Sequence, residues 1–138
     1  MREFKIPGKA QAKQRPRMGR SGIVYTPKET LVYENYVRMC YSDYAKQFGW
    51  TPYETQIRAE IEVLVQVPKS DSKVKKKAKL EGEMRPTVKP DCDNLAKSIL
   101  DSLNGLAYHD DKQVVELVVK KYYAENAEVK IKLSEVSK

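Results

Sequence analysis

The stretch that most limits what this chain can become lies between Lys89 and Val115: K-P-D-C-D-N-L-A-K-S-I-L-D-S-L-N-G-L-A-Y-H-D-D-K-Q-V-V. Pro90 fixes its own φ and drives Lys89 toward extended backbone, so Asp91 stands on a stiff approach to a helix. Asp93 or Asn94 is the expected N-cap of that helix, and Gly105 the residue that stops it. Between them Leu95, Ala96, Ile99, Leu100 and Leu103 fall on one arc at 3.6-residue spacing, which predicts a core-facing side. Asp93, Lys97 and Asp101 form a carboxylate–lysine–carboxylate ridge on the other side. Asp110 and Asp111 then lead into a β-branched run that starts at Val114 and Val115.

Such a set of side chains suits a hard divalent cation. Mg²⁺ takes oxygen ligands, commonly one or two carboxylates with waters and phosphate oxygens completing the shell. Asp91 and Asp93 straddle a helix start and can converge on one ion, with Asp110 or Asp111 arriving from a neighbouring strand. A metal held there activates water toward a phosphodiester, and Lys97 is placed to offset charge in the transition state. The same residues also admit a structural account: Asp93 as a cap, the ridge as a surface ion-pair ladder, and Asp110–Asp111 as a turn.

Longer motifs tip the balance. K-P-D-C-D-N-L-A-K-S-I-L-D-S-L followed by D-D-K-Q-V-V resembles the signature of the RusA family of Holliday-junction resolvases. Arg15-Pro16-Arg17, Tyr25-Thr26-Pro27 and Tyr33-Glu34 match further elements of that family, so the resemblance runs from about residue 9 to the last strand. It implies that Asp91, Asp93 and Asp111 bind Mg²⁺, with Mn²⁺ as a substitute, that Lys97 assists, and that Asp110 is the alternative to Asp111. It implies a homodimeric crossover junction endodeoxyribonuclease of DNA recombination and repair, of phage or prophage origin. Products would carry 5′-phosphate and 3′-hydroxyl ends, and no small-molecule cofactor is implied.

Charge distribution agrees with a nucleic-acid partner. The net charge is +7 over 138 residues. Residues 5–20 hold six Lys/Arg and no acid, and residues 69–89 hold eight against three acids, which leaves the rest mildly acidic. Two basic segments flanking an acidic body are the footprint of a polyanion binder. Within the basic loop 8–22, Lys13, Arg15, Arg17 and Arg20 are candidate phosphate ligands, the Arg-Pro-Arg step offering two guanidinium groups on a stiff backbone. Lys73, Lys75, Lys76 and Lys77 in the Lys-rich segment 69–89 are the others. Neither segment interleaves its charges with a large apolar face, which argues against a membrane surface.

No apolar run reaches the length of a membrane span, and Met1–Ala10 has no secretory core, so the expected location is the cytoplasm, with Cys40 and Cys92 reduced. Cys92 reads as a small packing residue. His109, the lone histidine, reads as a neighbour of the acidic pair.

The expected architecture is a single α/β (α+β) domain over residues 1–138, in the order β-α-β-(α)-α-β-β, with helices against one mixed sheet. Met1–Pro7 is a strand. Thr26, Pro27 and Glu29 form a capping box that opens a helix running to about Phe48, with Leu31, Val32, Tyr36, Met39, Cys40 and Tyr44 toward one side. Gln56–Val67 alternates apolar and polar and is a strand. Ser70–Glu83 is a short lysine-rich helix and a candidate DNA-gripping flap. Val114–Tyr123 and Glu128–Leu133 are strands joined by a short turn, expected to pair as a hairpin. The catalytic region, 89–115, sits between the lysine-rich segment and that last pair.

Two other functions fit less of this: a non-catalytic branched-DNA-binding protein with a structural acidic cluster, and a flap, fork or single-strand nuclease. Five aspartates beside DNA repel phosphates unless a cation intervenes, which favours an enzyme.

Overall fold

The computed structural model describes residues 1–14, 16–25 and 27–137, with the backbone alone of Arg17 and Tyr25. Its elements are β1 (Arg2–Pro7), β2 (Arg17–Met18), β3 (Val24–Tyr25), α1 (Lys28–Phe48), β4 (Ile57–Gln66), α2 (Lys73–Leu80), α3 (Cys92–Ser102), a 3₁₀ turn (Asp111–Gln113), β5 (Val114–Ala124) and β6 (Glu128–Glu135). The expected single mixed α/β domain is what forms. The addition is a small β2–β3 hairpin that starts in the basic loop and closes just beyond it.

Four strands make the main sheet, in the order β1-β6-β4-β5. β4 runs parallel to β5 and antiparallel to β6, and β1 closes the far edge against β6. β5 and β6 are therefore not a hairpin, contrary to the expectation from their short connection. β4 lies between them. Its inward residues Ile57, Ala59, Ile61 and Val63 are fully buried, and the centre is where both edges of so apolar a strand are hydrogen-bonded. Three residues of extended chain span the roughly 10 Å between strands two apart, so a short link suffices.

The helices cover one face of the sheet. Leu95, Ile99 and Leu103 of the α3 arc are fully buried, as the spacing predicts, among Ile57, Ile61 and Val37 in one core. Each such side chain contributes about 1.5–3 kcal/mol on leaving water. Ser98 and Ser102 are buried too, and α1 packs against α3. Arg38 Nη1 reaches across from α1 to donate to the Ser102 and Asn104 carbonyls, at 3.0 and 3.1 Å, completing the C-terminus of α3.

α1 departs from the sequence reading in two ways. Pro27 is its N-cap rather than its first helical residue, and the expected Thr26 cap lies outside the described residues. The buried stripe is Thr30, Tyr33, Val37 and Tyr41, whereas Leu31, Val32 and Met39 are 48%, 59% and 57% exposed. On the buried side Tyr41 Oη accepts from Arg2 Nη1 at 2.9 Å, while the buried Tyr33 hydroxyl has no hydrogen-bond partner among the described residues; the half-buried Tyr36 Oη donates to the Pro7 carbonyl at 2.8 Å. Gly49 ends the helix in the left-handed region (φ 68°), its N–H bonded to the Ala45 carbonyl.

Candidate active site

α3 carries the site. Its N-cap is Asp91, in extended backbone (φ −71°, ψ 143°), rather than Asp93 or Asn94. Asp93 lies in the first turn, where the helix dipole favours a carboxylate. The Asp91 carboxylate does not cap the backbone; it accepts a long 3.4 Å bond from Asn94 Nδ2. Asp91, Cys92, Asp93 and Lys97 are all exposed.

The second acidic group sits at the start of β5. Asp110 caps the 3₁₀ turn, its carboxylate accepting from the Lys112 N–H at 2.8 Å. Gln113 fastens this turn. Its Oε1 accepts from the N–H groups of His109 (2.8 Å) and Asp110 (3.2 Å), and its Nε2 donates to the carbonyls of Tyr53 (2.9 Å) and Thr55 (3.0 Å). The acidic turn is thereby tied to the approach to β4. His109 Nε2 lies 2.9 Å from Glu54 Oε2, beside the acidic pair as expected.

Asp110 and Asp111 differ electrostatically. The Lys112 N–H, ahead of other effects, holds Asp110 below the usual carboxylate range. Burial, and then the Asp110 and Asp101 carboxylates, push Asp111 above it. Beneath them Tyr108 is fully buried, its hydroxyl donating to the Leu100 carbonyl at 2.6 Å and its pKa driven up by burial and by those acids.

α3 runs back against the direction of the parallel strands it connects, so its start and the start of β5 lie at opposite ends. Asp111 meets Asp101, ten residues past Asp91, which is about 15 Å along a helix. Asp91 with Asp93, and Asp110 with Asp111, are thus two acidic pairs at the two ends of one helix, with the Lys97 ridge between. Among the described residues, no three His, Cys, Asp or Glu side chains gather tightly enough within the chain to hold an ion.

Among the described residues, none of Asp91, Asp93, Asp110, Asp111 and Lys97 forms an ion pair within the chain. Asp101 and Asp71 do. Lys13 Nζ bridges Asp101 and Glu34, so this candidate phosphate ligand is engaged within the chain. Lys79 pairs with Asp71 and lies over the Tyr123 ring, docking α2 on β5. Lys73, Lys75 and Lys77 stay exposed and Lys76 half-buried, on a helix that buries none of its own residues; Arg20 is exposed as well. Arg15 lies outside the described residues, and of Arg17 the backbone in β2 is described.

An acidic helix flanked by two basic segments belongs to a recognisable lineage. A family profile described as Endodeoxyribonuclease RusA matches residues 7–134. The chain belongs to the RusA endodeoxyribonuclease family. It is also 36% identical over 140 residues to the protein named "Uncharacterized protein YqaN" of Bacillus subtilis (strain 168), covering 98% of this chain and 96% of that one. RusA membership makes the chain a nuclease of DNA, and among the described residues no helix is long and apolar enough to cross a membrane.

The acidic donors fit the divalent metal that RusA-type nucleases generally use: hard carboxylate oxygens, exposed at Asp91 and Asp93 and half-buried at Asp110 and Asp111, in no ion pair among the described residues. Two residues have roles that the sequence reading did not give them. Asp101 is the neighbour of Asp111 and the anchor of Lys13, and Gln113 positions the acidic turn. The ridge spacing and the D-D-K-Q run pointed at both, but only the fold supplies their partners.

Proposed function

We propose that this RusA-family chain is a Mg²⁺-dependent endonuclease that resolves four-way DNA junctions by paired symmetric nicks, in recombination and repair. The observation that carries the reading is the set of four aspartates, Asp91, Asp93, Asp110 and Asp111, in no ion pair among the described residues, at the two ends of α3 in a chain of net charge +7. Uncompensated carboxylates beside a polyanion call for a cation.

In this reading Asp91, Asp93 and Asp111 hold the ion, which supplies Lewis acidity and an activated water. Lys97, exposed on the ridge, sets its ammonium against charge developing on the leaving oxygen. Asp110, held ionised by the Lys112 N–H, keeps the turn in shape, so Asp111 is the better candidate ligand. Arg15, Arg17, Arg20 and the lysines of α2 hold backbone phosphates. Because α3 keeps its two acidic pairs apart within one chain, a second copy is the direct way to bring Asp91 and Asp93 to Asp111. A twofold homodimer also matches a junction with two equivalent cutting points. A DNA substrate places this work in the cytoplasm.

The test is incubation of the purified protein with an end-labelled mobile four-way junction, in Mg²⁺ or in EDTA. Symmetric, Mg²⁺-dependent nicks that ligase can reseal are the expected result. Equal cutting of forked, flapped and linear duplexes would remove the junction specificity, and tight binding with no cuts in Mg²⁺ or Mn²⁺ would overturn the enzymatic reading.

A further inference from the structure

At the carboxyl end of β4 a cavity of about 420 Å³ opens between that strand, the loop after β1 and the segment leading to α3. Val63, Val65, Val88, Pro90 and Ala10 give it apolar walls, and the exposed Lys9 and Lys89 line it as well. A second hollow of about 480 Å³ shares Lys9, Ala10, Lys89 and Pro90 with the first and continues to Asp91 and Asn94. One trough therefore runs from an apolar cavity to the acidic start of α3.

The strand edge adds a polar feature. Pairing of β4 with β6 ends at Leu64 opposite Glu128, whereas β4 continues to Gln66. Gln66, whose backbone faces that edge, consequently has no β6 partner there, and it lines the cavity with Val65, whose backbone faces β5. The crevice past the carboxyl ends of parallel strands is the common ligand position in α/β sheets, and β4 with β5 is the parallel pair here.

We propose that this cavity takes one unstacked nucleobase of the DNA strand whose phosphate lies at Asp91 and Asp93. The proposal rests on the endonuclease reading above and names a substrate contact within it. Apolar walls fit the faces of a heterocyclic ring, and the strand-edge peptide group of Gln66 fits its polar rim. Two exposed lysines fit the flanking phosphates, as in single-strand grooves that combine stacking with positive charge. A lone apolar side chain from a protein partner would make no use of Lys9 and Lys89. The junction centre, where stacking is interrupted, is where a base is most cheaply turned out.

The experiment uses the full chain and four-way junctions carrying 2-aminopurine at successive positions around the cut phosphodiester, in Ca²⁺ to hold back cleavage. One position should brighten several-fold when wild-type protein binds. That response should disappear in Ala127→Leu and in Val88→Phe, which fill the cavity from its wall and from a residue 54% exposed, while junction affinity changes little. A wild type that binds and cuts junctions with no responsive position overturns the pocket and leaves the nuclease reading standing. So does a response that survives both filled variants. A protein that neither binds nor cuts junctions overturns both.

Discussion

Lys13 Nζ stands 2.9 Å from Asp101 Oδ2 and 3.1 Å from Glu34 Oε1, joining the basic loop, α1 and α3 at a single ammonium group. Burial works against the charge, but the two acids outweigh it and raise the Lys13 pKa. Lys13→Met should lower stability by about 1–2 kcal/mol, by leaving Asp101 and Glu34 facing each other partly buried. The salt dependence of DNA binding should stay unchanged. Denaturant melts and filter binding at several salt concentrations check the two halves, and a reduced salt slope would return Lys13 to the DNA surface.

Gln113 has the opposite profile. Gln113→Glu loses the Nε2 donations to Tyr53 and Thr55 and sets a carboxylate beside Asp110. The turn bearing Asp111 should drift, so that kcat falls at least tenfold while junction affinity stays near wild type, about 1.4 kcal/mol or more of lost transition-state stabilisation. Single-turnover kinetics beside binding titrations measure this; an unchanged kcat would show that the turn holds its place without Gln113.

Asp111 sets stability against function. Because burial and its acidic neighbours raise its pKa, ionising it costs the folded state more than the unfolded one. That cost begins as pH rises past the ordinary carboxylate value and is complete above the raised one. Asp111→Asn should therefore melt at a higher temperature than wild type at neutral pH in EDTA, with the difference vanishing below the ordinary carboxylate value. Calorimetry across that range decides it, and a variant that melts lower at neutral pH contradicts the assignment.

A composite site makes a prediction about mixtures. Asp91→Asn and Asp111→Asn should each abolish cutting with junction binding retained. Co-refolded in equal amounts, they should regain nicking, since a mixed dimer then holds one site with Asp91 and Asp111 both intact. Complete inactivity of a mixture shown to contain mixed dimers would place all ligands in one chain.

The lysines of α2 should act through the phosphates alone. Replacing Lys73, Lys75, Lys76 and Lys77 with Ala should reduce the log–log salt slope of binding by up to about 3–4, at roughly 0.9 for each lost phosphate contact. Lys79→Ala should weaken the docking of α2 and move the slope less, because Lys79 is already held by Asp71 and Tyr123. Equal slopes for the quadruple variant and wild type would take α2 out of the interface.

What could be read without coordinates was periodic. The alternation of β4 and the apolar arc of α3 report burial directly, and both stand as expected. The buried side of α1 was misread because tyrosines count as ambivalent on a hydropathy scale. Tyr33 and Tyr41 pack into the core, and the partner of the Tyr41 hydroxyl, Arg2, lies far off in sequence. Strand order was hidden for a related reason, since a short link says that β5 and β6 are near but not that β4 fits between them. The same long-range geometry separates Asp91 from Asp111, which motif spacing alone had drawn together.

The order β1-β6-β4-β5 also governs when the molecule can assemble. Arg2 is paired with Leu133 and Pro7 with Glu128, so the earliest strand has no edge to join until the latest one exists. During synthesis Phe4 and Ile6 emerge first and stay unpaired until β6 follows, and pairing over so long a loop makes for slow closure. A nascent chain of this kind is a candidate for chaperone retention up to the final strand.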